Sequence, residues 1–239
     1  MIQNVSLSWE GFLTKEIIEM LKNIEEKIGE NYTPSKDKIL RFLSTDLDSM
    51  KVCILGQDVY YQPNVATGRS FEVGGLNSWS TPFTQVSLKN IIRLIHKNYN
   101  NITNYEDIKK FSEIVKEIEA NKFPILPPNE YFSSLEQQGV LFLNSYFTCE
   151  IGKPNSHRNI WLQFSIKLLD YISNRKSDLI WFLWGNEAIS KKQYITNGKF
   201  YESRHPMLCS KQYPNDFLKS NCFKDTMNII NWLGLPSRC

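Results

Sequence analysis

The 239-residue sequence is long enough to bury one sizeable core, since 41% of its residues are hydrophobic and 13% are aromatic. We therefore expect one domain over residues 1–239, with residues 1–50 as a helical portion of it. The formal net charge of +3 is too small to indicate nucleic-acid binding by itself, but residues 1–50 carry −3 and the remainder +6. A mildly basic body of this kind suits a polyanionic partner.

The cysteines and histidines form no pattern that is typical of a metal site. Neither a Cys-x-x-Cys pair nor a His-x-x-x-His pair is present among Cys53, Cys149, Cys209, Cys222, Cys239, His96, His157 and His205. We expect no metal, no cofactor and reduced thiols in a cytoplasmic protein. No apolar run reaches membrane-spanning length and no secretory pattern is present, so no membrane association is expected.

Hydrophobic periodicity predicts alternating helices and strands along the chain. Apolar residues at helical spacing predict helices over 13–28, 38–47, 88–95, 108–118, 160–172 and 215–233. Short apolar runs predict strands over 51–55, 139–143, 179–184 and 199–202. Strands that alternate with helices favour an α/β fold, with a central four-stranded, mostly parallel sheet sandwiched by helices.

Each predicted strand is followed by polar residues that could act on a ligand. They are Gln57-Asp58, Asn144, Asn186 and His205. Taken singly, each residue could simply cap a turn or a helix, as Asn and Asp often do. The carboxyl ends of parallel strands share one edge of a sheet, and ligands bind there in open α/β folds. The four ends together therefore indicate a functional site.

Several segments in the same order resemble the uracil-DNA glycosylase superfamily, specifically its family 1. The resemblance covers about residues 51–233. Its segments are Gly56-Gln57-Asp58-Val59-Tyr60, Thr67-Gly68-Arg69-Ser70-Phe71-Glu72-Val73, Val86-Ser87-Leu88-Lys89-Asn90-Ile91, Gly139-Val140-Leu141-Phe142-Leu143-Asn144, Lys153-Pro154-Asn155-Ser156-His157, Trp184-Gly185-Asn186-Glu187-Ala188 and His205-Pro206. The resemblance implies base flipping and hydrolysis of the N-glycosidic bond of deoxyuridine in DNA, which leaves an abasic site for base excision repair.

The resemblance implies two catalytic residues. Asp58 would orient or deprotonate the attacking water and stabilise the positive charge that develops on the sugar. His205, as a neutral imidazole, would donate a hydrogen bond to O2 of the departing uracil anion. His157, by contrast, is interpreted as structural.

The same resemblance implies a uracil pocket. Asn144 would read N3–H and O4 with its amide, which offers both a donor and an acceptor. Phe71 would stack on the base, Tyr60 would exclude the methyl group of thymine, and Gln57 would contribute backbone contacts. Without the family, Phe71 and Tyr60 could equally be core aromatic residues.

The resemblance also implies contacts to uracil-containing DNA, single- or double-stranded. Ser87, Asn186 and Ser210 would contact phosphates. After His205-Pro206 the chain reads Met207-Leu208-Cys209, where the family has Ser-Pro-Leu. The leucine wedge that fills the space of the flipped base then falls on Cys209 by strict alignment, or on Leu208 with a shift of one residue.

The motif after the first strand departs from the family pattern at two further positions. Val59 stands where the family has proline, whose fixed φ would stiffen the loop, and Tyr61 stands where it has histidine. These departures leave an alternative open. The chain could be a weakened or inactive homologue that binds DNA, uracil, a replication protein or a DNA-mimicking glycosylase inhibitor. We expect a monomer in either case.

Two other enzyme classes are less favoured by the sequence. A nucleotide-binding oxidoreductase on a doubly wound sheet would need a Gly-x-Gly-x-x-Gly turn after the first strand, and this turn is missing. A glycosylase for another damaged base remains an alternative, but Asn144 and Tyr60 favour uracil.

Overall fold

The computed structural model describes residues 1–234. Its helices are α1 (Lys15–Lys27), α2 (Val86–Tyr99), α3 (Phe111–Glu119), α4 (Pro128–Gln137), α5 (Arg158–Arg175) and α6 (Asn186–Ser190). Its strands are β1 (Tyr32–Thr33), β2 (Val52–Gly56), β3 (Val140–Asn144), β4 (Cys149–Glu150), β5 (Ile180–Trp184) and β6 (Lys199–Ser203). Short 3-10 turns connect many of these elements.

The central sheet has four parallel strands in the order β3-β2-β5-β6. The prediction of an α/β fold with a four-stranded sheet between helices is therefore confirmed. A parallel sheet needs cover on both faces, which explains why the central strands are continuous apolar runs. A separate antiparallel pair joins β1 to β4.

Alternate residues of each central strand contribute to two different hydrophobic cores. In β2, Cys53 and Leu55 point to the core that contains α1, α5 and most of the N-terminal segment. Val52 and Ile54 point to the opposite core, which contains α2, α3, α4 and the C-terminal segment. The sheet is thus held rigidly from both sides, and its carboxyl edge becomes a firm base for the loops that follow the strands.

Two predicted helices are wrong. Residues 38–47 form 3-10 turns in which Ser44 Oγ donates to Arg41 O and Thr45 Oγ1 donates to Phe42 O. Residues 215–233 contain only the short turns Phe217–Lys219 and Lys224–Thr226. In both segments polar side chains bond to nearby backbone groups and compete with the helical ladder.

Four elements, α4, α6, β1 and β4, were not predicted. Helix α4 begins at Pro128, which suits the first position of a helix because that position needs no N–H donor. Helix α6 has only five residues and the β1–β4 pair only two per strand, too short for a periodic signal. Cys239 lies outside the described residues, and within 1–234 no helix is long and apolar enough to cross a bilayer.

Candidate active site

The residues at the carboxyl ends of β2, β3 and β6 meet around a cavity of about 270 Å³ at the carboxyl edge of the sheet. It contains every residue that the resemblance assigned to catalysis or uracil binding, together with Val59, Ser87 and Met207. The lining residues are Gly56, Gln57, Asp58, Val59, Tyr60, Ala66, Arg69, Phe71, Ser87, Asn144, Pro154, Asn155, His205 and Met207.

Asn144 is the last residue of β3 and lies beside the last residue of β2. A Cβ atom at Gly56 would lie 2.4 Å from Asn144 Oδ1, so only glycine permits this approach. The Asn144 side chain is 4% exposed and makes no hydrogen bond within residues 1–234. An amide that is buried, unpaired and adjacent to a cavity is available to a ligand that carries both a donor and an acceptor.

The Asp58 carboxylate is held by one oxygen and free at the other. Asn155 N–H donates to Asp58 Oδ2 at 2.5 Å, whereas Asp58 Oδ1 is buried without a partner. Burial raises the pKa of Asp58 to about 6, against the effect of the hydrogen bonds from the backbone N–H groups of Asn155 and Val59. A buried carboxylate with one unsatisfied oxygen can bind and deprotonate a water molecule at neutral pH.

The His205 ring is held in one tautomer. Met207 N–H donates to His205 Nδ1 at 3.2 Å, so Nδ1 is unprotonated and the neutral ring carries its proton on Nε2. Burial lowers the pKa of His205, which keeps the ring neutral at pH 7. Gly185 permits this position, because it has φ +89 and a Cβ there would lie 2.9 Å from His205 Cβ.

Phe71 and Tyr60 form the aromatic side of the cavity. Phe71 adopts a left-handed conformation with φ +63, which is uncommon for a residue other than glycine. Its ring lies 5.5 Å from Trp184 and 6.4 Å from His205, measured between centroids. Tyr60 donates its hydroxyl to Phe71 O at 3.4 Å. The strained segment is held by Arg69, which pairs with Glu72 in the same loop and with Glu136 of α4.

Arg69 itself is 7% exposed and was not predicted as a site residue. Its guanidinium contacts Glu72 at 3.0 Å and Glu136 of α4 at 2.6 Å. A buried charge is tolerated when it is paired in this way. We infer that Arg69 fixes the backbone that presents the Phe71 ring.

The loop at Val59–Tyr61 is held by packing. Val59 is 7% exposed and clusters with Ala66 and Cys149, so packing restricts the loop at the position where the family has proline. Tyr61 is 40% exposed and lies outside the cavity lining, so its ring does not obstruct the cavity. Its backbone oxygen accepts a hydrogen bond from Gly152 N–H at 3.0 Å.

A second cavity of about 660 Å³ adjoins the first and shares three residues with it. The shared residues are Gln57, His205 and Met207. Asn186 and Leu208, two predicted DNA contacts, line this second cavity together with Arg204 and Tyr213. The two cavities are therefore neighbours at the carboxyl edge of the sheet.

The segment after His205 presents Leu208 outward and Cys209 inward. Leu208 is 53% exposed, whereas Cys209 packs against the core and donates to Pro206 O. Ser210 N–H donates to Asp216 Oδ2 at 2.6 Å. Neither Cys209 nor Ser210 lines either cavity.

Asn155 is the residue that sequence reasoning missed with most consequence. Its N–H binds Asp58, and its side-chain Oδ1 accepts a hydrogen bond from Gln57 Nε2 at 2.8 Å. It has φ +62, a conformation that asparagine tolerates better than most residues. The segment Lys153–His157 was part of the resemblance, but a contact across 97 positions leaves no local signal. Ala66 and Pro154 also line the cavity and were not predicted.

His157, the last residue of the segment Lys153–His157, is buried. Its Nδ1 is 2.9 Å from Thr148 Oγ1, which also accepts a hydrogen bond from Trp161 Nε1. The interpretation of His157 as structural agrees with these contacts and with its 4% exposure. Among residues 1–234, no three His, Cys, Asp or Glu side chains lie close enough together to hold a metal ion.

Comparisons with known proteins identify relatives of this chain and solved structures with the same fold. No family model matches the chain. The uracil-DNA glycosylase of Alkaliphilus oremlandii is 31% identical over 238 residues, covering 95% of this chain and 92% of that protein. The structure of UNG from Nitratifractor salsuginis has a TM-score of 0.72 at 21% identity, covering 98% of this chain and 94% of that one. A mimivirus UNG variant in complex with UGI has a TM-score of 0.67 at 21% identity, covering 95% and 88%. With a relative this similar over almost its whole length, the chain belongs to the uracil-DNA glycosylase family.

Proposed function

We propose that the protein is a family 1 uracil-DNA glycosylase that hydrolyses the N-glycosidic bond of deoxyuridine in DNA. The observation that carries this proposal is the convergence of Asp58, Asn144 and His205 on one cavity, next to Phe71. Family membership supports the reaction, and the cavity supports the assignment of the residues.

Asp58 is the group that acts on water. The free oxygen Oδ1 accepts a hydrogen bond from a water molecule, whose oxygen attacks C1′ of the deoxyribose. The bond between C1′ and N1 breaks with its electron pair on uracil, and the water proton passes to Asp58. The carboxylate also stabilises the positive charge that forms on the sugar before the attack is complete.

His205 stabilises the leaving group. The tautomer fixed by Met207 N–H leaves Nε2–H free to donate to O2 of uracil, where negative charge accumulates as the bond breaks. A neutral donor is sufficient for this role, and the lowered pKa of His205 keeps the ring neutral. Loss of one such preorganised donor reduces kcat by about 10²–10³.

Base selection follows from the other cavity residues. Asn144 donates to O4 and accepts from N3–H of uracil, whereas cytosine presents the opposite pattern at these two atoms. Phe71 supplies the stacking face, and Tyr60 occupies the space that a methyl group on C5 would need. Gln57 is tied to Asn155 and therefore contributes to the cavity as part of a fixed loop.

A base within a duplex has to leave the stack before it can enter the cavity. Leu208 is the side chain that fills the vacated space, because it is exposed whereas Cys209 is turned into the core. Ser87, Asn186, Met207 and Ser210 contact the DNA backbone around it. Val59 and Tyr61 depart from the family motif, but neither side chain closes the cavity. We therefore expect the protein to retain activity.

The partners that we propose are single- and double-stranded DNA that contains uracil. A mimivirus relative of the same fold is solved in complex with UGI. We propose that the exposed surface of this protein around Leu208 binds an inhibitor protein of that kind. The protein acts as a cytoplasmic monomer without a cofactor.

The proposed function is tested by uracil release from matched single- and double-stranded oligonucleotides. The wild-type protein is expected to release uracil from both, and Asp58→Asn is expected to reduce kcat by about 10²–10⁴. Leu208→Ala is expected to reduce excision from the duplex more than from the single strand, while Cys209→Ala affects both equally and weakly. Binding of uracil-containing DNA without release of uracil would instead support a non-catalytic binding module.

A further inference from the structure

Asn90 is a buried polar residue of helix α2 that the proposed chemistry does not use. Its side chain is 6% exposed, and the two residues that follow it, Ile91 and Ile92, belong to the hydrophobic core beside the sheet. A buried amide is costly unless its polar atoms find hydrogen-bond partners. The partners of Asn90 therefore indicate what the amide does.

Both polar atoms of the Asn90 amide are paired. Nδ2 donates to Pro206 O at 2.6 Å, and Oδ1 accepts a hydrogen bond from Arg93 Nη1 at 2.8 Å. Arg93 is held in turn, because its Nε donates to Lys109 O at 2.8 Å. Since an arginine side chain carries only donors, Arg93 fixes the Asn90 amide with its oxygen toward Arg93 and its nitrogen toward Pro206.

The hydrogen bond from Asn90 reaches the turn that carries the catalytic histidine. His205 to Leu208 form a β-turn that is closed by a hydrogen bond from Leu208 N–H to His205 O at 2.9 Å. The third residue, Met207, has no positive φ, so the turn is of type I. In this turn the N–H of the third residue reaches the side chain of the first, and Met207 N–H donates to His205 Nδ1 at 3.2 Å.

The carbonyl group of Pro206 and the N–H group of Met207 belong to the same peptide unit. Because a trans peptide is planar, these two groups point in opposite directions and can only move together. Asn90 holds the carbonyl end, and the N–H end is thereby directed at His205 Nδ1. Rotation of this peptide would convert the turn to type II, which also accommodates proline at its second position. The N–H would then leave Nδ1.

We propose that Asn90 is a positioning residue, which sets the tautomer of His205 by fixing the peptide between Pro206 and Met207. While the peptide is fixed, Nδ1 is an acceptor, so the proton of the neutral ring lies on Nε2 and faces O2 of uracil. A rotated peptide would no longer donate to Nδ1, and the ring could then carry its proton there. This inference rests on the proposed function, because it acts through the role of His205 as a donor.

The tautomer is measured by NMR on protein labelled with 15N at histidine, because protonated and unprotonated nitrogens of a neutral imidazole resonate in separate ranges. The signals of His205 are assigned by their loss in His205→Gln. The wild-type protein is expected to show one neutral form with its proton on Nε2. Asn90→Leu replaces the amide by an apolar group of similar size, and is expected to move part of the population to the form with its proton on Nδ1.

Uracil release from a single-stranded oligonucleotide gives the second readout. Asn90→Leu is expected to lower kcat by about tenfold, the effect of about one hydrogen bond, with KM nearly unchanged. In the His205→Gln background the same substitution should lower kcat by less than about twofold, because no imidazole tautomer is left to set. A residue that only stabilised the fold would lower kcat by the same factor in both backgrounds.

Asn98→Leu is the matched control, since Asn98 is a 3% exposed asparagine of the same helix. Its Oδ1 accepts a hydrogen bond from Lys224 N–H at 3.0 Å, away from the turn of His205. Asn98→Leu is expected to lower stability but to leave kcat and the tautomer of His205 unchanged. Arg93→Met keeps Asn90 but removes the donor that orients its amide, and is expected to lower kcat by about two- to threefold with a partial change of tautomer.

A wild-type tautomer in folded Asn90→Leu would overturn the positioning role, and so would equal losses of kcat in the two backgrounds. Should Asn90→Leu fail to fold, Arg93→Met decides, because an unchanged tautomer in that variant would also overturn the role. Failure of the proposed function is distinguished from these results. The wild-type protein would then release no uracil, whereas the tautomer of His205 is measured without any catalysis.

Discussion

The buried Asp58 carboxyl group sets the acidic limit of activity. Only the ionised form can accept a proton from water, and burial raises the pKa of Asp58 to about 6. We therefore expect kcat/KM on a single-stranded substrate to fall about tenfold per pH unit below pH 6. His205→Gln should lower the plateau of the pH profile but keep this midpoint. A midpoint near 4, the ordinary range of a carboxyl group, would contradict the assignment of Asp58.

The same burial means that the ionised Asp58 carboxylate lowers the stability of the folded protein at neutral pH. The folded pKa of about 6 lies above the ordinary value of 3.8, so at pH 7 the folded protein carries a charge that the unfolded chain solvates better. Asp58→Asn should raise the free energy of unfolding at pH 7 by on the order of 2–3 kcal/mol. The gain should shrink as the pH falls through 6 and vanish below about 4, where Asp58 is protonated in both states.

Urea denaturation of both proteins at neutral and acidic pH measures this difference. The prediction is contradicted if Asp58→Asn is less stable than wild type at neutral pH. The result also decides whether Asp58→Asn is a folded control for the activity measurements.

At the scale of one element, the loop 204–216 depends on the buried carboxylate of Asp216. Asp216 is 1% exposed and accepts hydrogen bonds from Tyr105 Oη, Ser210 N–H and Leu218 N–H. Asp216→Asn keeps the shape of the side chain but removes one hydrogen-bond acceptor, which should lower the free energy of unfolding by about 1–3 kcal/mol. Because the loop carries Leu208, we expect excision from duplex DNA to fall more than excision from a single strand.

Tyr105→Phe provides the control for this prediction, since it removes only the hydrogen bond that Tyr105 Oη donates to Asp216 Oδ1. It should lower stability slightly and leave the ratio of duplex to single-strand excision near that of wild type. An equal fall on both substrates in Asp216→Asn would show that the loop does not act specifically on the duplex.

The elements that could be predicted are those with a local signal. Strands such as β2 and β3 are buried apolar runs, and parallel pairing brings Asp58 and Asn144 to one edge. Gly56 and Gly185 also lie next to the residues that need their small size. The site could therefore be placed before its geometry was known.

The elements that could not be predicted depend on distant contacts or on competing side-chain hydrogen bonds. Asn155 reaches Asp58 across 97 positions, and Asp216 reaches Tyr105 across 111. Thr45 illustrates the second cause, because its hydroxyl bonds to Phe42 O and ends a turn where apolar spacing favoured a helix. Neither effect appears in the periodicity of the sequence.

At the scale of the whole molecule, the N-terminal segment is continuous with the core beneath the active-site strands. Trp9 is fully buried, donates from Nε1 to Thr45 O at 2.8 Å, and contacts Tyr171 of α5. The same hydrophobic core includes Leu55 of β2, the strand that leads into the loop carrying Asp58. We therefore predict that residues 1–50 unfold together with the central sheet and the loops that carry the active site.

Trp9→Ala tests this cooperativity. Truncation of a fully buried tryptophan should lower the free energy of unfolding by about 3–5 kcal/mol, whereas Leu7→Ala, at a side chain that is 79% exposed, should change it by less than about 0.5 kcal/mol. Tryptophan fluorescence and uracil excision, followed through urea denaturation, should lose signal at one midpoint that shifts downward in Trp9→Ala. Unfolding of a core that is shared with the site strands would also displace Asp58 and abolish excision. If excision instead persisted beyond a first fluorescence transition, the N-terminal segment would unfold as a separate unit.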